Sequence, residues 1–147
     1  MVALKAEAQA FVDKYKLKNY KNENISVVIT GMGKENMEIS TCQVLKEMTQ
    51  HDKIVNVGIC GASKKYAIGE LIDGCKTEIC CIDYEADDGE FDIVDMESDG
   101  FFEATKGIKN RYMFKVVSDH FEPHKITKDL AKKLIFENID EIMKRVI

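Results

Sequence analysis

The sequence predicts an α/β protein with three layers, in which helices flank a mostly parallel or mixed central sheet. Two observations carry this prediction. Apolar, β-branched runs typical of buried strands alternate with segments whose apolar residues recur at helical spacing, and glycine turns follow two of the runs. The length of 147 residues suits one hydrophobic core, and we see no repeat or linker, so we expect a single domain over residues 1–147.

Five segments have the composition expected of strands: residues 25–30, 53–63, 77–83, 92–97 and 111–119. The first, second and last are rich in apolar and β-branched residues, as in strands that are buried on both faces. Ligands of open α/β sheets bind at the carboxyl ends of strands. The glycine-rich or polar ends of these segments are therefore candidates for one common site.

Helical spacing is clearest at the two ends of the chain and after the first predicted strand. Residues 36–48 carry apolar residues on one face, and a last helix begins near Thr127. Residues 64–72 predict a short helix, and residues 98–109 another, although each of its two glycines costs about 1 kcal/mol against alanine. The N-terminal helix has one apolar face, formed by Leu4, Ala8, Phe11, Val12 and Tyr15.

Composition and charge exclude several classes of function. The net charge of −5 argues against a general binder of nucleic acid or of anionic membranes, since neither attracts an acidic surface. No apolar run approaches the roughly 20 residues that a membrane-spanning helix needs. The N-terminal residues carry charges throughout, unlike a secretory signal, so we expect a cytoplasmic protein.

The chain offers no clear metal-site pattern, and we expect neither a metal nor a cofactor. The five cysteines are odd in number and mostly stand in apolar contexts, which favours reduced thiols. They are not paired at zinc spacing, which argues against a zinc site. The acidic loop that begins at Asp83 is no calcium loop, since its sixth and twelfth positions are Asp88 and Val94. His120 and His124 have a proline between them, which disfavours a shared helical face.

Several acids in the second half of the chain stand next to apolar runs, and two of them have two interpretations. Asp119 ends a strand; a half-desolvated carboxyl there could donate a proton near neutral pH, or it could cap a turn or the next helix. Glu97 could serve a site or simply benefit from a helix N-terminus, whereas Asp99 is explained by the helix dipole. For Asp92 and Asp95 we expect no role beyond solvation or pairing.

Two blocks of sequence, in this order, resemble the nucleoside phosphorylase/nucleosidase family. Residues 29–63 are similar to that family's Gly-Met-Gly turn, helix, and strand ending in Val-Gly-Ser-Cys-Gly-Ala. Residues 94–124 are similar to its Val-Glu-Met-Glu segment, small-residue helix and Val-Ser-Asp-His strand end. The resemblance implies a compact version of the nucleoside phosphorylase fold and a purine nucleoside or thionucleoside as ligand.

The resemblance also implies roles for individual residues. Glu97 resembles the glutamate that holds the ribose hydroxyls, and Met96 the methionine that packs on the sugar. Asp119 resembles the aspartate that protonates the departing purine, with Ser118 orienting it. Backbone segments complete the implied site: Gly31 and Gly33 beside the phosphate or nucleophile pocket, and Cys60, Gly61 and Ala62 beside the base.

The departures from the family pattern concern the nucleophile and the base. The chain is shorter than typical members, and the span from Ser63 to Asp92 lacks the family's base-contacting segment. The N-terminal glycine-rich strand, which in nucleosidases supplies a water-activating glutamate, is absent; no motif supports Glu35 in its place. Ile59 and Asn56 stand where phosphorylases have serine and arginine, and they cannot hold a phosphate dianion in the same way.

We therefore carry two hypotheses of function. The first is an enzyme that cleaves an N-glycosidic bond, with a small-molecule nucleoside as substrate and phosphate as a disfavoured co-substrate. The second is a non-catalytic nucleoside-binding or regulatory module that keeps the fold and has lost the phosphate or water side of the site. The family associates into dimers or larger rings, so the resemblance also implies a homo-oligomer, with a dimer favoured.

Overall fold

The computed structural model describes residues 1–147, and it contains four helices and a five-stranded sheet. The helices are α1 (Lys5–Tyr15), α2 (Lys34–Leu45), α3 (Ser98–Ala104) and α4 (Lys128–Val146). The strands are β1 (Ile54–Ala62), β2 (Leu71–Asp73), β3 (Cys80–Cys81), β4 (Ile93–Asp95) and β5 (Arg111–Asp119). A short 3₁₀ turn, Pro123–Lys125, precedes α4. None of the helices combines the length and the apolar character needed to cross a membrane.

The sheet is mixed, with strand order β2-β5-β1-β4-β3. The two long central strands, β1 and β5, run parallel, as do β3 and β4. The pairs β1–β4 and β2–β5 are antiparallel. Because β1 and β5 are central and parallel, their carboxyl ends meet at one edge of the sheet, which is where the site described below lies.

Helices cover both faces of the sheet, which confirms the predicted three-layer α/β architecture. Helices α1 and α4 pack on one face, where Phe114 and Val116 of β5 meet Ile135 and Ile139 of α4. Helices α2 and α3 cover the other face around a smaller core of Met37, Ile54, Phe101 and Met113. Of the apolar face predicted for the N-terminal helix, Ala8 and Phe11 are buried, and the other three residues are half-buried.

The prediction of a sheet strand at residues 25–30 is wrong. This segment is extended but belongs to no strand of the sheet; it contacts Val2, which donates to the Val28 carbonyl and accepts from Thr30. The edge of β1 that such a strand could have joined is occupied by the first residue, since the Val57 N–H donates to the Met1 carbonyl. Apolar composition predicted the extended backbone but not its partner.

The short helix predicted at residues 64–72 is also absent. The chain turns there, with Gly69 at a φ of +86°, and then adds β2 to the edge of β5. The strand predicted at 77–83 is shortened to β3, and the helix predicted at 98–109 ends at Ala104. Near that end Arg111 donates to the carbonyl groups of Phe102 and Thr105, which satisfies backbone acceptors that a longer helix would have used.

Candidate active site

The site is built where β1 and β5 end side by side. The two strands pair residue by residue up to Cys60 and Val117, and then the register shifts so that Gly61 lies opposite Asp119. Ser118 is the additional residue of this β-bulge and has no partner on β1. The bulge re-aims the end of β5, and it places Ser118 and Asp119 at the edge of a cleft.

Two hydrogen bonds hold the Asp119 carboxylate. Its Oδ1 lies 2.6 Å from the Ser118 hydroxyl, and its Oδ2 accepts from the Glu122 N–H at 2.8 Å. The Ser118 hydroxyl is also 3.1 Å from the Cys60 carbonyl oxygen. Asp119 is half-buried and lines the cleft. The bond from the Glu122 N–H is the turn-capping contact that one interpretation of Asp119 expected. The interpretation of Asp119 as a proton donor stays a prediction.

Glu97 reaches the same cleft from the turn between β4 and α3. Its side chain is 8% exposed, and its Oε2 accepts from the Met96 N–H at 3.1 Å. Burial raises the pKa of Glu97, and Lys115 opposes that effect. Glu97 is the N-cap residue of α3, but its side chain makes no capping hydrogen bond to that helix. Met96 lies beside it and also lines the cleft.

A buried ion pair lies at the floor of the cleft, where sequence reasoning expected no more than a flanking acid. Lys115 Nζ is 2.8 Å from Asp95 Oδ2, and both side chains are at most 2% exposed. Burial alone would lower the pKa of Lys115, but Asp95 and Glu97 raise it on balance. Pairing was expected for Asp95; its complete burial and its lysine partner were not.

A second unexpected carboxylate comes from α1. Glu7 is buried, and its Oε2 accepts from the N–H groups of Ala3 and Leu4 at 3.0 and 2.9 Å. Its Oε1 accepts from the Ile59 N–H at 3.0 Å. Burial raises the pKa of Glu7, although these N–H donors and Lys115 act in the opposite direction. The first helix thus supplies a buried carboxylate to the cleft.

The cleft has a volume of about 260 Å³ and a strongly acidic lining. Lys115 is the only basic side chain that lines it, against five carboxylates: Glu7, Glu85, Asp95, Glu97 and Asp119. Exposed Met32 and Tyr84 also line it. The cleft therefore favours neutral or positively charged ligands over anions.

Most of the residues predicted for the site line this one cleft: Met96, Glu97, Ser118, Asp119, Cys60 and Gly61. Gly31, Gly33 and Ala62 do not line it. The two glycines, at φ values of +85° and +97°, form the turn before α2 that carries Met32. The Ala62 carbonyl instead faces His120 Nδ1 at 3.0 Å. Glu35 lies in a separate polar groove between α2 and α3.

Glu7 and Lys115 were not predicted as site residues. The available signal for Lys115 was one lysine in the middle of an otherwise apolar strand, a position where a charge needs a buried partner. Glu7 gave a weaker signal, because an acid in the first turn of a helix is also favoured by the helix dipole.

Comparisons with known proteins agree with this architecture. The family model of the phosphorylase superfamily matches residues 6–76, which contain α1 from its second residue onward, with Glu7, and the first of the two resembling blocks. The second block lies outside the matched residues. A comparison with curated proteins gives no match.

Solved structures of nucleosidases share the fold. A candidate 5′-methylthioadenosine/S-adenosylhomocysteine nucleosidase from Francisella philomiragia superposes with a TM-score of 0.76 at 13% identity, covering 99% of this chain and 96% of that one. The enzyme from S. pneumoniae, solved with the transition-state inhibitor MT-ImmA, gives 0.74 at 13% identity, with the same coverage. That from Neisseria meningitidis, with methylthio-immucillin-A, gives 0.70 at 13% identity, covering 98% and 96%.

The chain therefore has the α/β fold of the solved structures that it resembles, which are 5′-methylthioadenosine/S-adenosylhomocysteine nucleosidases. Together with the match over residues 6–76, this confirms the predicted resemblance to the nucleoside phosphorylase/nucleosidase family.

Proposed function

We propose that the protein is an N-glycosidase that cleaves a purine nucleoside or thionucleoside by hydrolysis. The observation that carries this proposal is the convergence of Glu7, Glu97 and Asp119 on one cleft, from α1, the β4–α3 turn and the end of β5. N-glycosidic cleavage needs a group that activates water, a group that protonates the base, and negative charge near a ribose with oxocarbenium character. The three carboxyl groups can fill these roles.

We assign one role to each carboxyl group. Asp119 donates its proton to a ring nitrogen of the departing purine, and Ser118 keeps its side chain oriented. Glu97 accepts hydrogen bonds from the ribose hydroxyls, with Met96 packed against the sugar. Glu7 accepts a proton from the attacking water, whose oxygen bonds to the anomeric carbon as the bond to the base breaks.

The charge of the cleft supports hydrolysis over phosphorolysis. A phosphate dianion needs cationic or donor groups, and the single lining lysine is already paired with Asp95 at 2.8 Å. Ile59 offers no hydroxyl, and its N–H is already bonded to Glu7. Asn56 is buried, donates to the Met1 carbonyl and does not line the cleft. Phosphate is therefore not part of the proposed reaction.

The second hypothesis, a non-catalytic nucleoside-binding module, makes a different prediction with the same ligands. One experiment separates the two. The purified protein is incubated with adenosine, inosine and methylthioadenosine, with and without phosphate, and the free base is quantified by chromatography. We expect base release that does not depend on phosphate. Saturable nucleoside binding without release would favour the module, and release that requires phosphate would contradict hydrolysis.

A further inference from the structure

The buried lysine at the floor of the cleft reaches its partner across a glycine. Lys115 on β5 lies opposite Gly58 on β1, and Asp95 is on β4, the next strand beyond. A Cβ atom on Gly58 would lie 3.2 Å from Lys115 Nζ and 3.7 Å from its Cδ. The side chain therefore passes over Gly58, and one ion pair connects the two strands that flank β1.

Asp95 connects this ion pair to the turn that carries Glu97. The Ser98 N–H lies 3.2 and 3.0 Å from the two carboxylate oxygens of Asp95, and the Ser98 hydroxyl donates to Oδ1 at 2.5 Å. Met96 and Glu97 are the only residues between the two ends of this bonded loop. The direction in which Glu97 enters the cleft is thus tied to the position of Asp95.

We propose that Lys115 is a positioning residue that, through Asp95 and Ser98, fixes the turn of Met96 and Glu97 on the ribose side of the cleft. This inference rests on the proposed function of Glu97. Without the lysine, the Asp95 carboxylate would be a buried, unpaired charge and would move or take up a proton. The bonds that hold Ser98 would change with it.

The inference is specific for one half of the cleft. Asp119, on the side of the base, is held by Ser118 and by the backbone of Glu122, and neither bond involves Lys115. Loss of the lysine should therefore weaken contacts to the ribose and leave contacts to the base unchanged. A lysine with a merely structural role would affect both halves together.

The test compares two ligands by calorimetry. Formycin A is a C-nucleoside without an N-glycosidic bond to cleave, and adenine is the free base. In Lys115→Met we expect the Kd for formycin A to rise about tenfold or more, the effect of losing roughly 1.4 kcal/mol of binding. We expect the Kd for adenine to stay within about twofold, a change of less than 0.5 kcal/mol. Lys115→Arg, which keeps the charge, should recover most of the formycin A affinity.

Two further variants complete the design. Lys65→Met removes an exposed lysine that is 2.6 Å from Asp92, and such surface pairs contribute little, so both Kd values should match the wild type. Ser98→Ala removes only the hydroxyl bond to Asp95; it should weaken formycin A selectively and provides the test if Lys115→Met does not fold. Equal weakening of both ligands, or of neither, would overturn the positioning role. A wild-type protein that binds neither ligand would overturn the proposed function as well.

Discussion

The Glu7 carboxylate combines burial with three backbone N–H donors. Burial raises its pKa, which improves it as a base, while the donors favour the ionised form that a base needs. The ionised form that these donors favour is the one that can accept a proton from water. This balance at a single side chain underlies the first prediction.

In Glu7→Gln we expect base release to fall by about 10²–10⁴-fold, the usual contribution of a general base. The amide cannot take up the proton, and its NH₂ group would face backbone N–H donors. The measurement is the initial rate of adenine release from methylthioadenosine. Glu35→Gln, an exposed acid in a different groove, is the matched control and should retain full activity. Undiminished release by Glu7→Gln would exclude it as the base.

In Asp119→Asn we expect base release to be lost while the fold remains intact, because asparagine keeps the shape and removes the proton donor. The loss should again be about 10²–10⁴-fold. Rates and circular dichroism are to be compared with Asp92→Asn, which changes an exposed acid in a surface ion pair. The assignment would fail if the Asp119 variant kept its activity, or lost it only together with its secondary structure.

The pH profile of kcat/KM should show an acid limb at unusually high pH for carboxyl groups. The pKa values of Glu7 and Glu97 are both raised above the ordinary value of 4.5, with burial as the largest cause. Both must be ionised for the proposed roles, so activity should fall as the pH drops through their raised pKa values. A profile that stays flat down to pH 4.5 would contradict these roles.

At the scale of the elements, the contact between α2 and α3 depends on Gly100, which has no side chain. A Cβ on Gly100 would lie 1.9 Å from the Lys34 carbonyl oxygen and 2.8 Å from its carbon, both backbone atoms. The helix could not keep its place with any larger residue. This explains a glycine inside a helix, which by propensity alone is a disadvantage.

We expect Gly100→Ala to destabilise the protein, although alanine improves helix propensity by about 1 kcal/mol. The clash should outweigh that gain, with a net loss of about 2 kcal/mol or more, as in other overpacked cores. Urea unfolding gives the free energy of unfolding. Glu103→Ala, at an exposed position of the same helix, should be nearly neutral. An unchanged or higher unfolding free energy in Gly100→Ala would show that α3 can shift without cost.

The elements that sequence predicted well are those whose pattern is continuous and local. The strand at 111–119 was predicted with the bounds that the structure has, and the last helix begins directly after Thr127, whose hydroxyl accepts from the Leu130 N–H. The errors at 25–30 and 64–72 have a different origin. Each segment takes its structure from a partner that is far away in sequence: Val2 for residues 25–30, and the edge of β5 for residues 64–72.

The candidate site, like the fold, contains residues that the sequence predicted and residues that it did not. Met96, Glu97, Ser118 and Asp119 were predicted to lie together at the carboxyl ends of strands in one sheet, and they line one cleft. The reason holds for Ser118 and Asp119 but not for Met96 and Glu97, because β4 runs antiparallel to β1 and these two residues enter the cleft from the turn that follows β4. Lys115 could not be placed in the site in this way. Its burial depends on residues of α1, β1 and β4, and no local sequence pattern predicts that these residues surround it.

For the whole molecule, the raised carboxyl pKa values imply a cost in stability. A carboxyl whose pKa is higher in the folded protein binds its proton more tightly there, so it stabilises the fold at low pH. This contribution is lost as the pH rises from 4.5 through the raised pKa. The functional cleft should therefore lower the free energy of unfolding at neutral pH.

We expect Glu97→Gln to reduce this loss, because the amide has no proton to release. The Tm of wild type and variant, measured from pH 4.5 to pH 7.5, should diverge with rising pH, the variant being the more stable at the upper end. Asp92→Asn is a suitable control, since its carboxylate is exposed. Parallel curves for wild type and Glu97→Gln would contradict a raised pKa at Glu97.

The bulge at Ser118 has a consequence for how this chain tolerates change. Before the bulge, the side chains of β5 pack on both faces of the sheet, and Lys115 is the one that lines the cleft. At and beyond the bulge, Ser118 and Asp119 line the cleft. Deletion of Ser118 would move Asp119 by one position along the strand, so its side chain would point to the other face of the sheet and away from the cleft. Residues 111–117 would keep their register with β1. A protein with this fold can thus lose its chemistry through a small slip at the strand end and still fold, which is one route from an enzyme to a binding module.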